Sequence, residues 1–292
     1  MTKPKTPKFE KGFNHYVPQF WLRRFRDAKR QLWKREKGKI ERTSMKRVMG
    51  EFWLYTTYDE RFQPSDELED KLSVIEGSID QLFSDLSNSS AIPTDQQWVE
   101  LCLWLGLTAC RHPRAMARGH TLGRDYVYDL ADVSSHSDER EFTQYIRSRF
   151  GVDVPSGTYD ALRRMGDEAL LEEAAKIDKL SPQDSRLPAT DALKGALNVA
   201  RQILGMDLFL LDSVPGSEFV LGDTPVPLAE LGGGFGTPLT SKLAFVALPP
   251  TAVPMSVRDA ADASIVSQVN QDQARRAAGI IVGPSKAVLS AL

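Results

Sequence analysis

Cysteine is nearly absent from this chain. Its 292 residues hold two, Cys102 and Cys110, and eight helical positions would separate them by roughly 12 Å of rise, too far to bridge. A disulfide-stapled fold is excluded, and the chain reads as reduced and cytoplasmic. Histidine is scarce too: His15, His112, His120 and His136, with the two cysteines, match no metal-ligand spacing. Glu76 and Asp223 could in principle share a divalent metal, but nothing in their spacing shows it, and no cofactor is indicated. Long apolar runs are missing; the longest, Leu101–Cys110, is about half a membrane span, so no membrane partner is expected. The Lys- and Pro-rich start has no apolar stretch, which argues against a secretory signal. There is no G-x-S-x-G elbow. Gly232-Gly-Gly-Phe-Gly236 lacks the Lys-Ser/Thr of a phosphate loop and reads as a hairpin tip.

What is present is a charge asymmetry. The net charge of −2 hides an N-terminal block, residues 1–47, with 16 Lys and Arg against 4 Asp and Glu, while the remainder has 21 against 35. Phe13, Tyr16, Phe20, Trp21, Phe25 and Trp33 are interleaved with these cations. Such a segment suits a phosphate backbone and stacked bases, so nucleic acid or a nucleotide is the expected partner. The same charges could equally dock on the chain's own acidic remainder. The oligomeric state is not legible.

The stretch Asn14-His-Tyr-Val-Pro-Gln-Phe-Trp-Leu-Arg-Arg24 reads as a helix start. Asn14 suits an N-cap and Pro18 is tolerable only in a first turn. His15 would then sit at the positive end of a helix, which favours a neutral imidazole. Further on, Gln31–Arg35 and Ile40–Met45 flank Lys37-Gly38 as a hairpin, and 52–55 reads as a short strand. Leu68, Leu72, Ile75, Ile79, Leu82 and Leu86 alternate by four and three in a helix opening at Ser65. Thr94-Asp-Gln-Gln97 is a capping box for a helix apolar nearly all round, which kinks at Arg111-His112-Pro113-Arg114 and resumes toward Tyr128. Helical patterns cover 138–149, 159–180 and 190–204. Strands follow at 207–211, 218–222 and 242–248, then a helix at 264–277 and a strand at 279–282. The expected fold class is α+β, a central helical core with a small, mainly antiparallel sheet built from N- and C-terminal strands. In domain terms, residues 1–11 are expected to be a flexible basic tail. Residues 12–292 are expected to form one domain, helical over 65–205 and strand-rich over 206–292.

Four islands give the chain a resemblance. They are His15-Tyr-Val-Pro18-Gln-Phe20 with Leu22-Arg-Arg24-Phe25; Arg111 with Pro113; Phe219-Val-Leu-Gly-Asp223-Thr-Pro225-Val226, leading to Pro238-Leu-Thr-Ser-Lys242; and Val269-Asn270. Together they resemble the bacterial domain of unknown function 4238, over nearly the whole chain, and Glu76 also fits a family position. Thr224 stands where that family commonly has asparagine, and the 232–236 loop is a local variation. The resemblance implies a fold and a shared polar constellation; it implies no established activity, although relatives are regarded as accessory-genome and defence-associated proteins.

The candidate catalytic residues are His15 as acid/base, Asp223 at a strand end as base or metal ligand, and Asn270, a poor interior helix residue that asks for a specific contact. Candidate substrate-binding residues are Arg24 and Arg111 as an anion clamp, Lys242 beside Thr240 and Ser241, and Gln19. Glu76, one position off its apolar seam, is a candidate half-buried carboxylate. Each has a plainer reading: a salt bridge with Glu76 for Arg111, a turn cap for Asp223, surface exposure for Lys242 and a solvated flank for Glu76. The leading expectation is an intracellular enzyme, hydrolase- or nuclease-like, acting on a phosphate-bearing substrate. The alternatives are a non-catalytic nucleic-acid-binding module, or a structural or partner-binding protein in which the polar islands are a buried hydrogen-bond network.

Overall fold

The computed structural model describes residues 13–52, 54–55, 57–58, 64–65, 67–150, 153–180, 195–227, 231–251 and 254–292; the expected tail at 1–11 lies outside them. Contacts divide the chain into two compact units, residues 1–115 with 192–292, and residues 116–191.

In the first unit, strands β1 (Phe13–His15), β2 (Leu32–Glu36), β3 (Lys39–Thr43) and β4 (Gly50–Phe52) and the short helix α1 (Gln19–Leu22) precede two small strands, β5 (Thr57–Tyr58) and β6 (Pro64–Ser65). The long helices α2 (Glu67–Asn88) and α3 (Asp95–Cys110) follow. On α2 the seam buries Leu72, Ile79, Leu82 and Leu86, as the alternation by three and four requires, but Ile75 stays exposed. The Thr94–Gln97 capping box forms at the start of α3.

The expected kink after α3 is a full break. Arg111 is the C-cap, and Pro113 opens a new helix, α4 (Pro113–Ala131), in the first-turn position where its missing N–H costs nothing. The second unit continues with α5 (Glu139–Phe150), α6 (Thr158–Met165) and α7 (Asp167–Leu180), around a core of Val133, Phe142, Ile146, Leu170 and Ala174. The sequence reads α6 and α7 as one helix; Gly166, at φ +79°, divides them.

Back in the first unit, α8 (Ala196–Leu204) packs on α3. A side chain at Gly106 would run into the backbone carbonyl of Ala196, so this glycine permits the close crossing. Strands β7 (Asp207–Ser213), β8 (Leu221–Gly222), β9 (Phe235–Pro238), β10 (Leu243–Leu248) and β11 (Ser256–Ala261) follow, then α9 (Ala263–Arg276), β12 (Ile280–Gly283) and α10 (Lys286–Ser290).

Two four-stranded sheets result. One, in the order β3-β2-β12-β8, joins N- and C-terminal strands, as expected, and all its pairs are antiparallel. The other, β11-β7-β10-β9, is antiparallel except for the parallel β11–β7 pair. The α+β class is therefore correct. The sequence reading misses β11, whose Ser-Val-Arg-Asp-Ala-Ala sequence carries little apolar signal. It also takes the start of β9 for a turn, because Gly234 and Gly236 mask the strand.

Among the described residues, no helix is long and apolar enough to cross a membrane.

Candidate functional site

The opening motif is not a helix start. Asn14 and His15 lie on β1, paired antiparallel with β4 in the register Asn14↔Glu51 and His15↔Gly50. Pro18 explains the difference, because its ring pushes the preceding Val17 out of the helical region; α1 begins only at Gln19, with Pro18 as N-cap and no side-chain cap. Asn14 is buried and caps nothing. Its Oδ1 accepts from Tyr55 N at 3.3 Å. Gly50 permits the pairing, since a Cβ there would stand 2.7 Å from Asn14 O.

His15 is half-buried at the end of β1. Its Nε2 lies 2.9 Å from Met45 O, which assigns the ring proton to Nε2 because a carbonyl can only accept. Nδ1 then keeps a lone pair, 3.5 Å from Nε2 of the exposed Gln19. Burial, and secondarily the Arg111 charge, lower the imidazole pKa. The neutral form expected from a helix end is thus reached by a different route. Lys46 and Arg47, both exposed, follow Met45 in the same 3₁₀ turn, which Ser44 caps through Lys46 N. Phe13 packs edge-on against His15 at 5.2 Å and against the exposed Phe52 at 5.1 Å.

Arg111, expected to face a cleft, is 1% exposed. Its Nε donates to Tyr55 Oη at 2.9 Å, Nη1 to Glu76 Oε1 at 2.7 Å and Nη2 to His15 O at 2.8 Å. Tyr55 Oη donates in turn to Arg111 O. The guanidinium also lies over the rings of Tyr55 and Trp104, at 5.1 and 5.8 Å. Burial alone would lower its pKa, but Tyr55 and Glu76 more than offset that and keep it charged. Burial pushes the Tyr55 hydroxyl up to about 12. Arg111 is therefore not an anion clamp: its donors are committed to internal acceptors, and the salt bridge to Glu76 is the plainer of the two readings. Glu76 is accordingly an ion-paired residue and not a solvated flank.

Arg24 is engaged through Nη2, while its buried Nε has no partner among the described residues. Its Nη2 donates to Asp80 Oδ1, Asp80 O and Ser84 Oγ at 2.5, 2.6 and 2.9 Å. Lys242 donates from Nζ to Ser217 O at 2.8 Å and lies 3.5 Å from Glu218.

Asp223 is 2% exposed, and its carboxylate accepts from Ala278 N and Ile280 N at 2.5 and 2.9 Å. Desolvation nevertheless raises its pKa; those two backbone bonds pull the other way. Beside it stand Thr224, Tyr16 and His112. The His112 Nδ1 accepts from Arg114 N at 3.1 Å, so Nε2 carries the proton, toward the Asp223 backbone and the Thr224 hydroxyl at 3.4 Å. Burial, then the Arg114 charge, push the His112 pKa down to about 4. With Nδ1 occupied, His112 cannot activate Thr224 as a base. Tyr16 packs edge-on against His112 at 5.1 Å, and its hydroxyl pKa is raised by burial and by Asp223.

Asn270 bridges two backbone groups of the 218–225 segment: Oδ1 accepts from Val220 N and Nδ2 donates to Glu218 O, both at 2.9 Å. It is the first of three α9 residues at three-residue spacing that do this. Gln273 Oε1 accepts from Gly222 N, while its Nε2 donates to Pro225 O and Gly236 O. Arg276 donates to the carbonyls of Thr224, Pro225 and Gly236. The segment has little ladder pairing of its own, so its buried backbone groups are satisfied from the helix.

The model of a protein family of unknown function, DUF4238, matches residues 14–287. The chain belongs to the DUF4238 family. The match takes in His15, Arg111, Asp223 and Asn270. No curated protein and no solved structure matches the chain.

The structure thus joins residues from distant parts of this chain through buried polar contacts. Glu76, Tyr55 and Arg111 hold β1 through His15 O, and the adjacent His112 meets Asp223 and Thr224. Tyr55, His112, Gln273 and Arg276 were missed as members. His112 was legible in principle, lying between Arg111 and Pro113, and Gln273 and Arg276 from their spacing with Asn270. Among the described residues, no group of three His, Cys, Asp or Glu is placed to hold a metal.

Proposed function

We propose that this chain is a cytoplasmic enzyme acting on a phosphate-bearing substrate, a nucleotide or a nucleic acid, with His15 as its acid/base. One observation carries the reading. Met45 O fixes the ring proton on Nε2, so Nδ1 is the accepting nitrogen, engaged only by a long 3.5 Å bond from the exposed Gln19 amide that a substrate proton can replace. A lowered pKa keeps that nitrogen unprotonated at neutral pH, as a general base requires. Lys46 and Arg47 supply exposed positive charge within one or two residues of Met45, suited to a phosphate. Phe52, exposed, packs edge-on with Phe13 beside the imidazole. Gln19 orients the substrate through its amide, while Arg111 positions His15 from behind through the backbone carbonyl. Asp223 and Asn270 act through the scaffold, because their polar atoms are engaged with backbone groups.

The test is turnover by the purified chain of nucleoside phosphates and of single-stranded RNA and DNA. His15→Gln, which retains a donor for Met45 O, is expected to lower turnover about 10²–10⁴-fold without lowering the melting temperature. Absence of turnover on every probe, or turnover that survives His15→Gln, overturns the proposal. Salt-dependent oligonucleotide binding without turnover, indifferent to His15 and lost with Arg23 and Arg26, would replace it with a binding module.

A further inference from the structure

A second basic surface lies among residues that do not contact His15. Cross-strand pairing in the β2–β3 hairpin sorts its charges onto two faces. Lys34 sits opposite Glu41 and bonds Glu36 as well, and Lys39 bonds Glu41, so one face is neutralised internally. The other face carries Trp33 and Arg35, opposite Arg42 and Ile40. Here Arg42 lies over the Trp33 ring at 5.1 Å. Arg35, half-buried, and Lys37, in the turn, have no carboxylate partner among the described residues.

These two cations line a concave depression of about 420 Å³ together with Gln271 and Arg275 from α9. Ala277 and Ile281 contribute its apolar wall. Arg275 reaches a carboxylate only at 3.9 Å, that of Asp272, which already receives Arg276 at 2.7 Å. Three cations from two distant parts of the chain therefore share one concavity, which Leu292 also lines. A bound anion would relieve the repulsion among these like charges. The volume falls within the roughly 300–1,000 Å³ range of small-molecule sites. Gly38, held at φ +78°, and Gly279 border open space, since a Cβ at either would meet nothing within 4 Å.

We propose that this depression binds a nucleoside polyphosphate. Arg35, Lys37 and Arg275 hold the phosphates, the Gln271 amide offers a polar contact, and the apolar wall covers one face of the base or sugar. The site is independent of the reading of His15.

The experiment is calorimetric titration of the full chain with ATP, inorganic pyrophosphate and a short single-stranded oligonucleotide. ATP is expected to bind, and pyrophosphate more weakly. The double variant Arg35→Ala, Arg275→Ala should weaken ATP at least about tenfold, from the loss of charge-assisted contacts. Gly279→Leu adds a side chain into open space and should abolish binding sterically, with an unchanged melting temperature. The Arg35→Ala, Arg275→Ala variant should keep any His15-dependent turnover of the parent chain, which separates this site from the proposed catalytic one. ATP binding indifferent to the Arg35/Arg275 and Gly279 changes overturns the proposal. So does oligonucleotide binding without ATP binding, or the failure of both ATP and pyrophosphate to bind.

Discussion

Arg111 Nη2 donates to the backbone carbonyl of His15 at 2.8 Å, across 96 positions of sequence. The bond joins the end of the most apolar helix to the strand that carries the imidazole. The same guanidinium holds Tyr55 and Glu76, so one buried charge fixes three separate parts of the chain. A polar motif here does not require that each member touch a ligand; one member can define where another stands.

Removing that charge should therefore cost stability first. Arg111→Met leaves Tyr55 Oη, Glu76 and His15 O without their donor, and a loss of about 3–5 kcal/mol is expected, as when one partner of a buried pair is deleted. Denaturant unfolding measures it. Arg111→Lys, which cannot reach three acceptors in a fixed plane, should recover only part.

Asn270 gives a similar test in the C-terminal half. Asn270→Leu strands Val220 N and Glu218 O in the interior, and about 2–4 kcal/mol should be lost. Asn270→Asp keeps the acceptor for Val220 N but not the donor to Glu218 O. Its melting temperature should fall less than that of the leucine variant.

Gly50→Ala should act on the site through the strand pair. The added Cβ would approach Asn14 O to 2.7 Å, so β1 and β4 must separate. A cost of about 1–3 kcal/mol is expected, as for other overpacked positions. Amide exchange at Asn14 and His15 should quicken relative to the β2–β3 hairpin.

The pH dependence of stability follows from His112. Its folded pKa, about 4, lies below the ordinary 6.5. Between these values the unfolded chain binds a proton that the folded chain does not. Stability is therefore full above the unfolded pKa and falls as the pH drops toward the folded one, by about 3 kcal/mol across the window. His15, also lowered, adds in the same direction. Asp223 is raised and so opposes them, but only at the acid end, near and above 3.8. His112→Gln should flatten the slope of unfolding free energy between pH 6.5 and 4.5.

Much of this fold was legible because its signals are local. The Thr94–Gln97 capping box, the α2 seam and the Lys37-Gly38 turn are each decided within a few residues. The site was less legible because its bonds are not local. Asn14 looks like a cap, yet cross-strand pairing with Glu51 and the bond from Tyr55 decide its place. Arg111 and Arg24 look like free cations until Glu76 and Asp80 are brought to them by the packing of α2. Asp223 sits at a strand end as expected. That its oxygens are committed to Ala278 N and Ile280 N depends on β12, more than fifty positions away.

The most direct test of the account is nitrogen NMR of the His15 ring, titrated with pH and then with a nucleotide and a single-stranded oligonucleotide. At neutral pH the Nε2–H tautomer is expected, with a titration midpoint below 6.5, and an Nδ1 resonance that moves when a phosphate-bearing probe is added. A proton on Nδ1, or an Nδ1 signal that no such probe moves, would contradict it.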